Sequence, residues 1–322
     1  MGRTRWGEDR QEAKDAAVRD DRPSALLSCP GGVGLAYPNM DYSKRLVVRP
    51  KTKVDLSDFD PDFKGEHESK SSSEDETAKD AAKLGELQYL MYAENRRSLL
   101  ICLQGLDAAG KDGTIRHVLG AMNPQGARVH AFKVPSPLEA SHDFLWRAHE
   151  QVPARGEVVV FNRSHYEDVL VVRVHGLVPK SVWSERYDLI NDFEQNLVDN
   201  GTHILKVFLH ISEDEQLRRF KARLDDPTRR WKISEADYSE RTLWPAYTKA
   251  YEEALSRTST KSAPWFVIPA NHKWFRNLAI ASIVVEALES LGMKTPAPTV
   301  DLDDVRRKYH SARRDEKKLR KE

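Results

Sequence analysis

The sequence predicts an α/β protein built on a five-stranded parallel sheet with helices on both faces. Two observations carry this. Five short apolar runs alternate with segments of helical periodicity, and the first run ends at a glycine-rich turn that opens a helix. Runs apolar on both faces suit strands buried between helix layers.

The runs are 98–104 (SLLICLQ), 127–134, 157–161 (EVVVF), 203–211 and 265–268. Leu84, Leu87, Leu90 and Met91 fall at helical spacing and predict a helix over about 80–95. Further helices are expected at 112–121, 137–152, 182–200, 214–224 and 271–291, each after one strand. Residues 225–251 read as an extra helical insertion before the last strand.

Residues 1–44 read as a tail without sustained periodicity. Residues 66–80, centred on Ser71-Ser72-Ser73, read as a solvated linker or surface loop, so the ordered core is expected to begin near Lys79. Residues 296–322 read as a charged C-terminal tail, and 303–322 as net basic, a frayed helix or tail.

The 322 residues carry 51 Lys plus Arg against 50 Asp plus Glu, a formal net charge of +1. That balance argues against bulk electrostatic binding of nucleic acid. No run of eighteen apolar residues occurs, so no membrane span is expected. Residues 1–22 are dense in both charges and lack the apolar core of a secretory signal. With only Cys29 and Cys102, no disulfide framework is expected, and a reducing, cytoplasmic setting is the default.

Gly105-Leu106-Asp107-Ala108-Ala109-Gly110-Lys111-Asp112-Gly113 fits G-x-x-x-x-G-K between strand and helix. Its glycines let backbone N–H groups turn inward as an anion nest, the helix N-terminus adds partial positive charge, and Lys111 adds a full one. Asp112 replaces the Ser or Thr that normally ligates Mg²⁺, so another group must do so. Asp107 is a candidate oxygen ligand; the competing reading is a turn-forming residue.

The third strand runs into Asn162-Arg163-Ser164-His165-Tyr166-Glu167-Asp168. Asn162 stands where an Asp usually binds Mg²⁺, and its one neutral carbonyl is a weaker ligand. Glu167 and Asp168 can serve as ligands or outer partners. Arg163 can fork onto phosphate oxygens, or pair with Glu167. Lys133, at the end of the second strand, and Arg147, in the next helix, either line an anion channel or face solvent.

Residues 218–232 (RRFKARLDDPTRRWK) crowd Arg218, Arg219, Lys221, Arg223, Arg229, Arg230 and Lys232 around a proline-containing break. Such a run is either a solvated helix face or a basic lid, at about 213–251, that closes over phosphates.

These residues have a recognisable set. GLDAAGKDG, FNRSHYEDVLVVRVHGLVP, ILKVFLHIS, RLDDPTRRWKIS and APWFVIPANHKWFRN, in this order, resemble the polyphosphate kinase 2 family. The resemblance covers about residues 45–295 and includes DFDPD at 58–62. It implies a thymidylate-kinase-like phosphate-loop domain with a helical lid. It implies Mg²⁺-dependent transfer, with Mn²⁺ as a substitute, between inorganic polyphosphate and purine nucleotides. ADP to ATP and AMP to ADP are the implied reactions, with GDP and GTP as further candidates. A homo-oligomer is implied as well.

Residue by residue, Asp107 matches the family's metal-holding loop aspartate. Lys111 matches the lysine on the transferred phosphoryl group, and Arg163 the phosphate-contacting arginine. Arg229 and Lys232 fall in the lid motif, with Arg230 between them. Many members carry Phe-Asp-Arg at the third strand tip; Asn162 departs from it, which leaves Asp168 as a second candidate ligand. The N-R-S-H-Y-E-D form resembles the subgroup that accepts both mono- and diphosphates. Two alternatives stay open: an ATP-dependent nucleoside monophosphate kinase on the same core, and a non-catalytic polyphosphate-binding protein.

Overall fold

The computed structural model describes residues 41–320. Most of the predicted tail at 1–44, with Cys29, therefore lies outside the described residues. The elements run α1 (Tyr42–Leu46), α2 (Glu74–Glu94), β1 (Ser98–Gly105), α3 (Lys111–Leu119), β2 (Ala127–Ala131), α4 (Pro137–Ala140), α5 (Trp146–His149) and β3 (Val158–Asn162). Then come α6 (Val171–Val174), α7 (Lys180–Asp199), β4 (Thr202–His210), α8 (Glu213–Asp225), α9 (Glu235–Arg241), α10 (Trp244–Thr258), β5 (Trp265–Pro269), α11 (Lys273–Ser290) and α12 (Leu302–Leu319).

All five strands are parallel, in the order β2-β3-β1-β4-β5. Every residue of β1 is buried, because it lies between β3 and β4 with helices on both sides. Period-2 alternation divides its side chains between the layers. Leu99, Ile101 and Leu103 pack into the core beneath α2, α3 and α11. Leu100 and Cys102 face the opposite layer, with Phe161, Phe193 and Leu197. A second cluster on that side gathers Tyr187, Tyr251 and Trp265.

Three expectations need correction. The ordered chain starts well before Lys79: Tyr42 is 2% exposed and meets Phe275 edge-to-face at 5.7 Å. Val48 N–H donates to Trp265 O, and Val47 bridges Phe266 on the outer edge of β5. This segment wraps the sheet as a strap, so its buried residues show neither helical nor strand period. The expected loop at 66–80 is half helix. Ser71–Ser73 form a 3₁₀ turn and α2 starts at Glu74, where three acidic residues complement the helix N-terminus.

The helix expected over 137–152 is two four-residue turns. Ser136 and Glu139 close a capping box on α4, and Asp143 Oδ1 accepts from Leu145 N–H, which starts a new turn. The insertion at 225–251 is helical, as expected, and comes in three pieces. A 3₁₀ turn (Arg230–Lys232) precedes α9, and α10 then runs back to β5. The charged C-terminal stretch forms α12. No helix of the described residues is long and apolar enough to cross a membrane.

Candidate functional site

The glycine-rich loop leaves the carboxyl end of β1, the central strand, and α3 starts at Lys111. In open parallel sheets this end, where the strand order reverses, is the crevice for ligands. Gly110 takes φ +107°, and Ala108 adopts φ +62°, a left-handed conformation that costs a non-glycine residue about 1 kcal/mol or more.

Side chains behind the loop hold that conformation. Gln216 Nε2 donates to Asp107 O at 2.9 Å. Arg219 Nη1 donates to Ala108 O and Ala109 O, both at 2.8 Å. Both come from α8 and are buried. Three successive carbonyls thus face the protein, and the first N–H groups of α3 stay open toward the crevice.

At the loop's front, Lys111 folds back on Gly105 O at 2.6 Å and Leu106 O at 3.3 Å. Burial, then the charge of Arg163, lowers its pKa to about 8. Arg163 Nη2 donates to Asp107 Oδ1 at 2.8 Å, and Nη1 to Glu167 Oε2 at 3.3 Å. Burial opposes the Arg163 charge, but Glu167 and Asp107 outweigh it and hold the guanidinium above its usual range. Arg163 itself sits at φ +60°, which turns its side chain off the end of β3. Asn162 Nδ2 donates to Asp112 Oδ1 at 3.2 Å. Lys232 Nζ reaches Asp112 Oδ2 at 3.4 Å, so the insertion touches the loop.

Of the residues singled out in the sequence, Gly113 lies in the first turn of α3, and Gly105, Ala108, Ala109 and Gly110 form the loop. Asp107, Lys111, Asp112, Asn162, Arg163 and Lys232 converge on it. Arg229 stays out, 60% exposed and paired with Asp226 at 2.9 Å. Arg230 is spent on Leu224 O at 2.8 Å. Lys133 is exposed in the loop after β2, two residues beyond its end.

Arg147 and Asp168 need correction. Arg147 is 6% exposed and donates to Lys133 O at 2.8 Å and to Asp168 Oδ2 at 3.1 Å. Asp168 Oδ1 also accepts from Arg186 at 3.2 Å. The two residues satisfy each other inside the protein, so Arg147 does not line an anion channel and Asp168 does not face a metal. Their sequence neighbourhood gave no sign of this, because the partners are 21 residues apart.

A cavity lies between the loop and the insertion. Asp107, Arg163 and Glu167 line one side, and Trp244, Tyr247 and Tyr251 of α10 the other. Beneath the exit of β3 lies a buried polar network. Lys206 Nζ contacts Glu194 Oε2 at 2.5 Å and donates to Tyr166 OH at 3.0 Å and Thr258 O at 2.6 Å. Tyr166 OH donates to Glu194 Oε1 at 2.8 Å, with His165 Nε2 3.3 Å from the same oxygen. Lys206 and His165 are fully buried. The signal was in the sequence: Lys206 interrupts the apolar run ILKVFLH.

Arg219 and Gln216 were missed as loop-bracing residues, as was Arg276 on α11. In the sequence Arg219 is one charge among several in a basic run. Arg276 lies in the first turn of α11, just ahead of the mostly apolar stretch Leu278–Val285, and a charge at that border was its available signal.

The family model described as polyphosphate kinase 2 (PPK2) matches residues 67–296. An AMP/ADP-polyphosphate phosphotransferase of Meiothermus ruber is 51% identical over 256 residues, 79% of this chain and 96% of that protein. An ADP-polyphosphate phosphotransferase of Rhodopseudomonas palustris is 45% identical over 269 residues, 80% of this chain and 93% of that one. Among solved structures, a polyphosphate kinase 2 from Arthrobacter aurescens matches with a TM-score of 0.81 at 43% identity, covering 84% of this chain and 96% of that one. A phosphate loop at the central strand tip, a basic insertion closing on it and these matches lead to one conclusion: the chain belongs to the polyphosphate kinase 2 family.

Proposed function

We propose that this protein transfers phosphoryl groups between inorganic polyphosphate and adenine nucleotides, making ATP from ADP and ADP from AMP. The observation that carries this is the convergence of Lys111, Arg163 and Asp107 at the tip of the central strands. The names of the Meiothermus and Rhodopseudomonas relatives supply the substrate class. A Corynebacterium glutamicum relative, 32% identical over 231 residues, is described as a GDP-polyphosphate phosphotransferase, so GDP is a further candidate acceptor.

Polyphosphate lies against the loop, with the terminal phosphate over the N-terminus of α3. An incoming phosphate oxygen competes for Lys111 with the carbonyls of Gly105 and Leu106. It draws Arg163 from its two carboxylates. Both cations then face the equatorial oxygens, where charge spreads in the transition state. The nucleotide phosphate is already an anion, so positioned in-line attack suffices without a general base. The lid, about 213–251, closes through Lys232 and excludes water.

Asp107 is the residue that fits a divalent cation. Its carboxylate is about a third exposed and holds one arginine nitrogen. Among the described residues no three His, Cys, Asp or Glu side chains cluster as a metal site. A sparse set suits Mg²⁺, which commonly takes one or two carboxylates plus substrate phosphates and water. Asn162 is engaged elsewhere, its Nδ2 donating to Asp112 Oδ1. Bound there, the metal supplies charge neutralisation between phosphate oxygens.

The test is an ATP- and ADP-formation assay with AMP, ADP or GDP as acceptor and polyphosphate as donor, with and without Mg²⁺. Product from polyphosphate, lost on chelation, supports the reading. Transfer from ATP to AMP with polyphosphate ignored would replace it by a nucleoside monophosphate kinase. Tight polyphosphate binding without turnover would replace it by a storage or binding role. We also propose a cytoplasmic homo-oligomer, which sedimentation and cell fractionation test directly.

A further inference from the structure

Arg276 has a place that nothing in the proposed chemistry uses. It lies on α11, is 3% exposed, and reaches the loop from behind. Its Nη1 donates to Ala109 O at 3.3 Å. Its Nε and Nη2 both donate to Asn277 Oδ1, at 3.1 and 2.7 Å. Among the described residues it forms no salt bridge with a carboxylate; the neighbouring charge is another cation, Arg219. Arg219, in contrast, holds Glu215 at 2.6 Å. Positive charge therefore outnumbers negative behind the loop: Glu215 answers Arg219 and is shared with exposed Arg218, and no carboxylate answers Arg276 among the described residues.

Glycines of the loop and of α3 make room for it. A Cβ at Gly110 would stand 1.9 Å from Arg276 Nη1, and one at Gly113 would stand 3.1 Å from Nη2. Gly110 also needs its positive φ. Gly113 does not: it is an ordinary helical residue inside α3, where glycine is a poor choice. The close approach of the guanidinium explains it.

Burying an unpaired guanidinium is costly, and burial with the charge of Arg219 pulls the Arg276 pKa down to about 10. Such a cost persists where the charge has a use. In a water-poor site a buried charge acts on a nearby anion far more strongly than an exposed one.

We propose that Arg276 is a positioning residue of the phosphate loop. Its uncompensated charge and its hydrogen bond to Ala109 O raise the loop's affinity for phosphate without touching the ligand. This rests on the reading of the loop as the anion site, and the test separates the two.

The experiment is calorimetric titration of the full chain with inorganic pyrophosphate in metal-free buffer, beside thermal melting of each variant. Arg276→Met is expected to weaken binding about tenfold, and Arg276→Lys, which keeps the charge, to restore most of it. Gly113→Ala is the decisive variant, and it stands in if Arg276→Met does not fold. An alanine there improves helix propensity, so a purely structural role for Arg276 predicts equal or higher melting with unchanged binding. The proposal predicts binding up to a few-fold weaker without a fall in melting temperature, because a Cβ 3.1 Å from Nη2 shifts the guanidinium, and with it the Nη1 bond to Ala109 O, by a few tenths of an ångström. Unchanged pyrophosphate affinity in Gly113→Ala, or Arg276→Lys as weak as Arg276→Met, overturns it. Lys111→Ala reports on the loop itself. Loss of binding there with none in the Arg276 and Gly113 variants keeps the anion site and removes only the role of Arg276. Unchanged binding in Lys111→Ala removes the loop as the anion site, and the proposal with it.

Discussion

The phosphate loop and the lid hold the same residue types in opposite states. Behind the loop, Arg219 and Arg276 are 7% and 3% exposed, and each donates to a loop carbonyl. On the lid, Arg229 is 60% exposed and pairs with Asp226 three residues away. Yet Arg219 and Arg229 belong to one basic run in the sequence. Exposed pairs of this kind are worth little and are screened by salt, whereas buried donors fix geometry. The loop is therefore built in advance with α8 braced against its back, and beyond α8 the insertion reaches it through Lys232, 3.4 Å from Asp112.

The difference predicts a ranking of variants. Lys111→Ala should lower ATP formation from ADP and polyphosphate by about a thousandfold or more, with the melting temperature little changed. Near-normal turnover would break the comparison at its strong end. Replacing Arg163 by Lys keeps the charge but loses the fork, and a fall in kcat of about a hundredfold is expected from single-turnover measurement. On the lid, Arg229→Ala should cost about tenfold or less, seen mainly in KM for polyphosphate and shrinking at high salt. Equal costs for Arg229→Ala and Lys111→Ala would show that the lid is as pre-built as the loop.

The pKa of Lys111, lowered to about 8, gives a pH test of the same contrast. Its ammonium is present below that value and lost above it. Pyrophosphate affinity should fall by up to about tenfold per pH unit above pH 8 in titrations of the free protein. Lys111→Arg, which stays charged, should remove the inflection, and an unshifted profile would assign it elsewhere.

The smallest expected effect lies on α2, outside both regions. Asp80 is half-buried with no hydrogen-bond partner on Oδ2, and burial, then the charge of Glu76, raises its pKa to about 7. A carboxyl whose folded pKa is raised loses stability as pH climbs from its unfolded value, near 4, to about 7. Asp80→Asn should therefore stabilise the fold by about 1 kcal/mol at pH 8 and hardly at all at pH 4, measured by urea unfolding. The same change at exposed Asp75, in the first turn of α2, should give no gain and cost about a few tenths of a kcal/mol. Equal gains at both positions would mean that burial does not decide the value of a charge here.

Much of this was legible beforehand. The five apolar runs became the five strands, because runs buried on both faces leave a local signal. The loop was legible because glycine spacing and a lysine at a helix start are local too. The helix at 137–152 failed because a capping box and an aspartate turn outcompeted its periodicity. The strap at 42–56 failed because its partners, Phe275 and Trp265, lie more than two hundred residues on.

The sequence alone determined the five strands, the position of the phosphate loop and its lysine, since each depends on near neighbours in the chain. Tertiary structure decided which charges act. It withdrew Arg147 and Asp168 into a pair of their own, left Arg229 in solvent, and brought Arg219 and Arg276 against the loop from two separate helices. The physical reason is that the worth of a charge depends on its partners and its exposure to water. Only the folded chain sets either.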